Sequence, residues 1–316
     1  MATYKEIHGV KVQYRDSDAT AIEGDVWYNS SIGSLKMYVA LGSWATGGNL
    51  NTGKKYHGSA GTQTAALAWG GDIPNNDYTE SYNGSTWTEV ADMNTGRECC
   101  EGFGTQTAAV QGGGSAPTVT TTESWNGASW SEINDVNTGR NWAAGSLGVQ
   151  TAGLIVAGTP GLAVTETFDG TNWAEVADLN TGRQAVGVFG TQTSAICAGS
   201  DPASTAVESW DGSSWTATTA MNTSAGVRGG AGSSNTEGLV FGGTPDGGSN
   251  GTVNTEQWNG SSWTEVANLA TARFSARGTS GGTASTAALA VGGHPPNLVN
   301  TEEWDVTTSV ETVAFD

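Results

Sequence analysis

The chain has 316 residues, with 47 Gly and 13 Trp, and its 12 Lys and Arg against 31 Asp and Glu leave a net charge of −19. A surface this acidic repels phosphate backbones, which excludes the electrostatic footprint of a nucleic-acid binder. Scarce Leu, Met and Lys beside abundant Thr, Ser and Asn disfavour long helices, and no apolar run approaches the roughly 20 residues that cross a bilayer, so no membrane insertion is expected.

The start, MATYKEIHGVKVQY, lacks the apolar core of a signal peptide, so no classical secretion is expected. KEIHGVKVQY alternates loosely, as an exposed or partner-paired strand would. GDVWYNSSIGSLKMYV reads as two strands, DVWYN and SLKMYV, around a Ser-Gly turn. Residues 1–42 lie outside the pattern that follows.

From residue 44 onward one phrase recurs. TESYNGSTWTEVADMNTGR occupies 79–97, and related phrases occupy 122–140, 165–183, 207–225 and 255–273. Trp44, Trp87, Trp130, Trp173, Trp215 and Trp263 mark it at spacings of 43, 43, 43, 42 and 48 residues. Five residues before the tryptophan stands a second aromatic: Tyr82, Trp125, Phe168, Trp210, Trp258 and, in the last copy, Trp304. Each period holds four short strand candidates. A small-residue strand turns at GTQT, a run such as AALAW ends at a glycine pair, and TESY turns at Asn-Gly into STWTEV. The Asn-Gly and Asp-Gly dipeptides predict tight type I′ hairpins. A period of 40–50 residues with four antiparallel strands matches a propeller blade.

The spaced aromatics and the pairs Gly70–Gly71, Gly112–Gly113, Gly242–Gly243 and Gly292–Gly293 resemble the kelch-type β-propeller; Ala157–Gly158 and Ala198–Gly199 depart from the pair by one methyl. The resemblance covers about residues 44–305 and implies an all-β, six-bladed kelch-like β-propeller with a short N-terminal β extension. The six second-strand endings are Gly71, Gly113, Gly158, Gly199, Gly243 and Gly293. One blade cannot bury its own aromatic face, so it needs neighbours with the same face. A buried aromatic removes ~150–250 Å² from water, about 4–6 kcal/mol gross.

The last copy supplies TEEW but no following tryptophan, whereas Trp44 matches the fourth-strand template without a blade of its own. Residues 42–48 are therefore expected to close the ring beside 300–305, with the tail from Thr307 peripheral. The competing closure uses Val310–Phe315. The boundaries follow: residues 1–42 an N-terminal β extension, 43–316 the propeller.

Glu80, Glu123, Glu166, Glu208, Glu256 and Glu302 recur once per blade, and Lys54, Arg97, Arg140, Arg183 and Arg273 recur on the NTGR-like turns. Copying in every blade points to scaffold contacts rather than to a metal ring or an arginine triad, because an unpaired buried carboxylate is costly. Ala225 replaces the cation in one copy, where the pairing cannot be obligatory. Only His8, His57 and His294 exist, and no metal-spacing, P-loop or GxSxG motif appears. No catalytic residue, metal site or cofactor is expected. SWDGSSW at 209–215 is similar to the Asp-box of sialidases, a hairpin staple remote from catalysis. Cys99, Cys100 and Cys197 are read as reduced and structural, with a regulatory vicinal thiol pair as the alternative.

Recognition is expected where the repeat is least faithful. The loops after the second strand vary most, from GDIPNNDY to GTPDGGSNGTVN, and insertions collect on one face. The candidate binding residues are Asp72, Asn75, Asn76, Asp77, Asp246 and Asn250, in loops expected to be exposed. The phrase GD-x-WYN-S-x-x-G-x-LK-x-Y resembles the short segment that opens many tailed-bacteriophage structural proteins. That resemblance implies a virion protein assembled in the host cytoplasm, attached to other virion proteins through residues 1–42, with a host surface receptor or glycan as a further partner. The alternatives are a β extension that covers one propeller face, and a cellular kelch-like protein-binding or carbohydrate-binding module.

Overall fold

Over residues 58–291, strands of two to six residues alternate with turns and longer loops, and no helix occurs among the described residues. The computed structural model describes residues 13–15, 17, 25–72, 76–99, 101–115, 118–142, 145–245, 250–279 and 286–313. The chain divides into two compact units, residues 44–305 and residues 1–43 with 306–316. No helix among the described residues is long and apolar enough to cross a membrane.

Residues 44–305 form a six-bladed β-propeller of antiparallel sheets. Blade 1 is Gly58–Thr62, Ala65–Trp69, Thr79–Tyr82 and Trp87–Val90; blade 2 is Glu101–Thr105, Ala108–Gly112, Thr122–Trp125 and Trp130–Ile133. Blade 3 is Gly145–Val149, Ala152–Val156, Thr165–Phe168 and Trp173–Glu175; blade 4 is Gly187–Thr191, Ser194–Ala198, Val207–Trp210 and Trp215–Thr218. Blade 5 is Gly229–Ser234, Glu237–Phe241, Thr255–Trp258 and Trp263–Glu265. Blade 6 combines Arg277–Gly278, Ala287–Val291 and residues 301–305 with residues 44–46 from the other end of the chain. Gly47 N–H donates to the Thr301 carbonyl (2.9 Å) and Leu50 N–H to Val299 (2.8 Å). The ring therefore closes on the Trp44 segment, as its template match requires.

Burial is organised between blades. The fourth-strand tryptophan of one blade meets an aromatic of the preceding one: Trp130 lies 5.2 Å from Trp69, Trp173 6.1 Å from Phe103, and Trp263 6.2 Å from Phe189. Such approach needs a neighbour without a side chain. A Cβ on Gly102 would stand 2.0 Å from the Trp69 ring, and one on Gly153 would stand 2.0 Å from Phe103. Indole N–H groups cross the same seams, Trp130 to Thr79 Oγ1 (3.1 Å) and Trp87 to Thr301 Oγ1 (3.0 Å). The glutamine of the GTQT turn also reaches back one blade, so that Gln192 Nε2 donates to the Phe168 carbonyl (2.8 Å) and Gln63 Nε2 to Trp304 (2.9 Å).

Two local expectations shift. In blade 2 the pair in left-handed conformation is Gly113–Gly114, and in blade 4 the left-handed residue is Gly199, followed by Ser200, one place later than the sequence match. The register is set by the backbone: the second amide of the pair donates to the cation of the following blade, Gly71 to Arg97 O (3.0 Å) and Gly114 to Arg140 O (2.9 Å). The Asn-Gly hairpins are also not two-residue type I′ turns. Tyr82 pairs with Trp87 across a four-residue loop in which Gly84, and not Asn83, has positive φ. Asn83 Oδ1 instead accepts the Ser85 and Thr86 amides (3.0 and 2.9 Å), an Asx-type cap.

In the Asp-box-like stretch Asp211 makes the same cap, accepting the Ser213 and Ser214 amides (2.8 Å each). The Ser213 hydroxyl and the two amides hold its carboxyl down at about 2. A depressed carboxylate favours the folded loop above its unfolded value of ~3.9, and the contribution disappears as pH falls through about 2. Carboxyl-detected NMR titration of Asp211 is expected to show a midpoint near 2; a midpoint near 4 would contradict the cap.

In the other unit, Gln13–Arg15 pairs in parallel with Val26–Asn29, which turns antiparallel into residues 34–37. Asn29 Oδ1 accepts the Ser31 and Ile32 amides (3.1 and 3.3 Å), and Gly33 closes the turn at φ +68°. That geometry accounts for the WYN-S-x-x-G spacing. The Arg15 guanidinium pairs with Asp25 (2.7 Å) over buried Trp27 (5.1 Å). Val313 N–H donates to Leu35 O (2.9 Å), so the tail is strand-paired within this unit.

Candidate functional site

The polar residues that recur in every blade are consumed by the scaffold. Glu166 Oε2 accepts the Asn137 amide and its Nδ2 (2.7 and 2.9 Å), while Oε1 accepts the Thr138 amide (3.0 Å) and Arg140 Nη2 (2.5 Å). Arg140 spends its other donors on the carbonyls of Thr138, Ala157 and Val164. Each carboxylate thus ties the turn leading into a blade to that blade's third strand. Arg97–Glu123, Arg183–Glu208 and Arg273–Glu302 repeat the pair at 2.5–2.7 Å, and Lys54–Glu80 repeats it at 3.7 Å.

Blade 5 solves the same problem differently. Ala225 occupies the cation position, yet Glu256 still has a partner, because Arg228 approaches from three residues later with Nη2 3.9 Å from Oε1. Arg228 Nη2 donates to Thr223 O (2.9 Å), but its Nε and Nη1 have no hydrogen-bond partner among the described residues. Burial lowers the pKa of this guanidinium, with Glu256 opposing. A buried donor left unpaired costs about 1–3 kcal/mol.

The loops after the second strand share a face with the segments that lead into the first strand. Asp72 N–H donates to Lys55 O (2.9 Å), Ser115 to Glu98 (2.8 Å), Thr159 to Asn141 (2.8 Å), Asp201 to Gln184 (2.9 Å), Thr244 to Gly226 (2.9 Å) and His294 to Phe274 (2.9 Å). On this face Asp72 is exposed, with its carboxylate 3.0 Å from Lys55 Nζ, and Pro245 and Asn250 are exposed. Asn76 and Asp77 are half-buried instead, because their carbonyls accept the Arg97 and Met93 amides (2.9 and 3.0 Å). Asn75 and Asp246 lie outside the described residues. The candidates sit in blades 1 and 5, with blade 6 between them, so they share a face without forming one cluster.

Sequence reasoning missed the centre of that face. Two residues after the repeat-cation position, which Ala225 fills in blade 5, the backbone is left-handed: Tyr56, Cys99, Trp142, Ala185, Val227 and Ser275 have φ between +43° and +56°. A bulky or β-branched residue in this region is strained unless its surroundings impose it. Here hydrogen bonds run from blade to blade, Ala185 N–H to Trp142 O (3.2 Å), Val227 to Ala185 O (2.6 Å) and Ser275 to Val227 O (3.0 Å). These six residues, with Val186, Arg228, Ala276 and Arg277, surround a pocket of about 20 Å³, room for one water-sized group.

The chemistry around the ring is uneven. Tyr56 and Trp142 stack on each other (5.1 Å, 29°), and Trp142 keeps 36% of its surface exposed. Burial raises the Tyr56 phenol, with the Ser275 hydroxyl opposing. Burial likewise pushes the Cys99 thiol up to about 11 and Cys197 to about 12, so both are inert thiols at neutral pH. His57, fully buried beside Tyr56, is held well below its ordinary value by burial and by the Arg277 and Lys54 charges, so its imidazole is neutral. The signal for this site was present in the sequence. At a fixed register in an otherwise faithful repeat stand the unrelated pairs Tyr56-His57, Cys99-Cys100, Trp142-Ala143, Ala185-Val186, Val227-Arg228 and Ser275-Ala276.

Among the described residues no group of three or more His, Cys, Asp or Glu is placed to hold a metal ion. No protein-family model matches the chain, and no curated protein matches it.

Proposed function

We propose that this chain is a non-enzymatic bacteriophage virion structural protein, displayed on a tail fibre, baseplate or capsid surface, whose propeller contacts a host surface or a neighbouring virion protein. The observation that carries the recognition role is the sorting of residues. Polar groups copied in every blade are internally paired, whereas the residues that differ between blades gather on the loop face around the axis. Binding sites on a symmetric scaffold arise where the symmetry breaks. The virion assignment is supported by the opening segment's resemblance to phage structural proteins, with residues 1–42 as the attachment region. The kelch-like repeat fits a scaffold that carries binding without dedicated catalytic residues.

Mass spectrometry of purified particles tests the virion assignment: the protein is expected as a stoichiometric component, and its absence from infective particles overturns it. The working face is tested separately. Purified protein is expected to compete with particle adsorption, and deletion of residues 246–251 is expected to weaken competition while leaving the thermal midpoint unchanged. Undiminished competition by the deletion variant would move the working face elsewhere.

A further inference from the structure

Ring closure buries His57 in the seam between blades 6 and 1. A Cβ on Gly71 of blade 1 would stand 3.1 Å from His57 Cβ, and one on Gly292 of blade 6 would stand 3.0 Å from Cε1. The imidazole is 0% exposed, and neither Nδ1 nor Nε2 has a hydrogen-bond partner among the described residues. Bonds between the two blades surround it. Lys54 O accepts the Gly293 amide (2.8 Å), Lys54 N–H donates to Leu298 O (3.2 Å), and Arg277 Nε donates to His57 O (2.8 Å). The charges that act on the ring are both positive, Arg277 from the first strand of blade 6 and Lys54 from its own turn. Nearby carboxylates are engaged elsewhere, Glu80 with Lys54 and the Asn51 and Thr52 amides, and Asp72 with Lys55. His294 packs on Phe274 (5.1 Å), and Tyr56 stacks on Trp142. The fold does not need a polar group at this register, since Ala143, Val186 and Ala276 fill it in blades 3, 4 and 6. Protonation would add a second N–H donor and a third positive charge to a dry seam, with no acceptor for either.

We propose that His57 is an acid-sensitive latch on the closed ring: the neutral imidazole lets blade 1 pack on blade 6, and protonation favours a state in which that seam opens to water. In the closed ring, burial and the two cations hold the imidazole well below its ordinary value of ~6.5, which it regains once the seam opens. The open state therefore takes up the proton first. Closure is fully favoured above ~6.5, and its equilibrium constant falls about tenfold per pH unit below that, until the closed-state value is reached. Carboxylates ordinarily titrate near 4, below this window. The latch is independent of what the loop face binds.

Hydrogen exchange of the full-length protein between about pH 7.5 and 5, with each amide corrected for its intrinsic rate, tests this. The Gly47, Leu50, Lys54 and Gly293 amides are bonded across the seam. Their protection is expected to fall about tenfold per pH unit below ~6.5. Leu154 and Ile155 in blade 3 should remain at least about tenfold better protected at the acid end, because opening the seam costs less than unfolding the whole ring. His57→Val, the residue that stands at this register in blade 4, is expected to keep seam protection flat over the range. His8→Gln with His294→Gln is expected to keep the wild-type response. The proposal is overturned by seam protection that ignores pH in the wild type, or by an acid response that survives in His57→Val. Equal protection of the seam and of blade 3 at every pH would also overturn it, since the response would then belong to global unfolding. If His57→Val does not fold, imidazole NMR of the wild-type protein replaces it. His57 in the closed ring is expected to be neutral near pH 5.5, and a midpoint above ~6 overturns the latch.

Discussion

Glu166→Ala is expected to lower the stability of the propeller by about 3–5 kcal/mol, the usual consequence of removing one partner from a buried ion pair. Arg140 and Glu166 side chains are both 0% exposed. Without the carboxylate, the Asn137 and Thr138 amides, Asn137 Nδ2 and Arg140 Nη2 all lose their acceptor at once. The penalty comes less from the attraction that is lost than from the charge left behind in a dry site. The double replacement Arg140→Met with Glu166→Leu should therefore be less damaging than Glu166→Ala alone. Denaturant unfolding of the two variants decides it; if the double variant is the weaker, the loss lies in the pair itself. Glu80→Ala, whose partner Lys54 is 3.7 Å away, is expected to cost less than Glu166→Ala.

Trp44→Ala is expected to cost about 3 kcal/mol, the lower end of the range for aromatic truncation, because the ring is half-buried. Its indole N–H donates to Thr255 Oγ1 (3.0 Å), and the ring packs against Phe241 (5.0 Å) and Trp304 (5.4 Å). One side chain from the start of the propeller thereby joins blade 5 to blade 6. Loss of that junction opens a closed ring, so hydrogen exchange should accelerate in blades 5 and 6 together, and thermal unfolding should remain a single transition. Acceleration confined to residues 301–305 would mean that closure rests on the backbone pairing at Gly47 and Thr301 alone.

Much of this was legible before any coordinates. The 43-residue spacing of Trp87, Trp130 and Trp173, and the second aromatic five residues earlier, report the blade and its packed face. The orphan Trp44 and the unfinished sixth copy report the closure. The recurring Glu and Arg are legible as a scaffold pair because both recur at the same offset. The glycine-pair register in blades 2 and 4 was misread by one residue, since Gly112, Gly113 and Gly114 are interchangeable by composition and only backbone φ distinguishes them. The hairpin type was misread for a similar reason. Asn-Gly predicts I′ when the strands end beside it, but the Tyr82–Trp87 pairing leaves four residues in the loop, and the Asn side chain then caps it.

The sequence alone determined the number of blades, their aromatic packing and the pairing of repeated charges, because each of these is a short-range pattern repeated at spacings of 42–48 residues, the cation in five of the six copies. The axial site was decided by the tertiary structure. Tyr56 and Ser275 stand at opposite ends of the propeller sequence, and Arg228 is unremarkable among its neighbours, yet ring closure sets all three around one pocket. The reason is geometric: a closed ring brings together residues separated by whole blades, and the left-handed backbone at Ala185, Val227 and Ser275 is held by hydrogen bonds from one blade to the next.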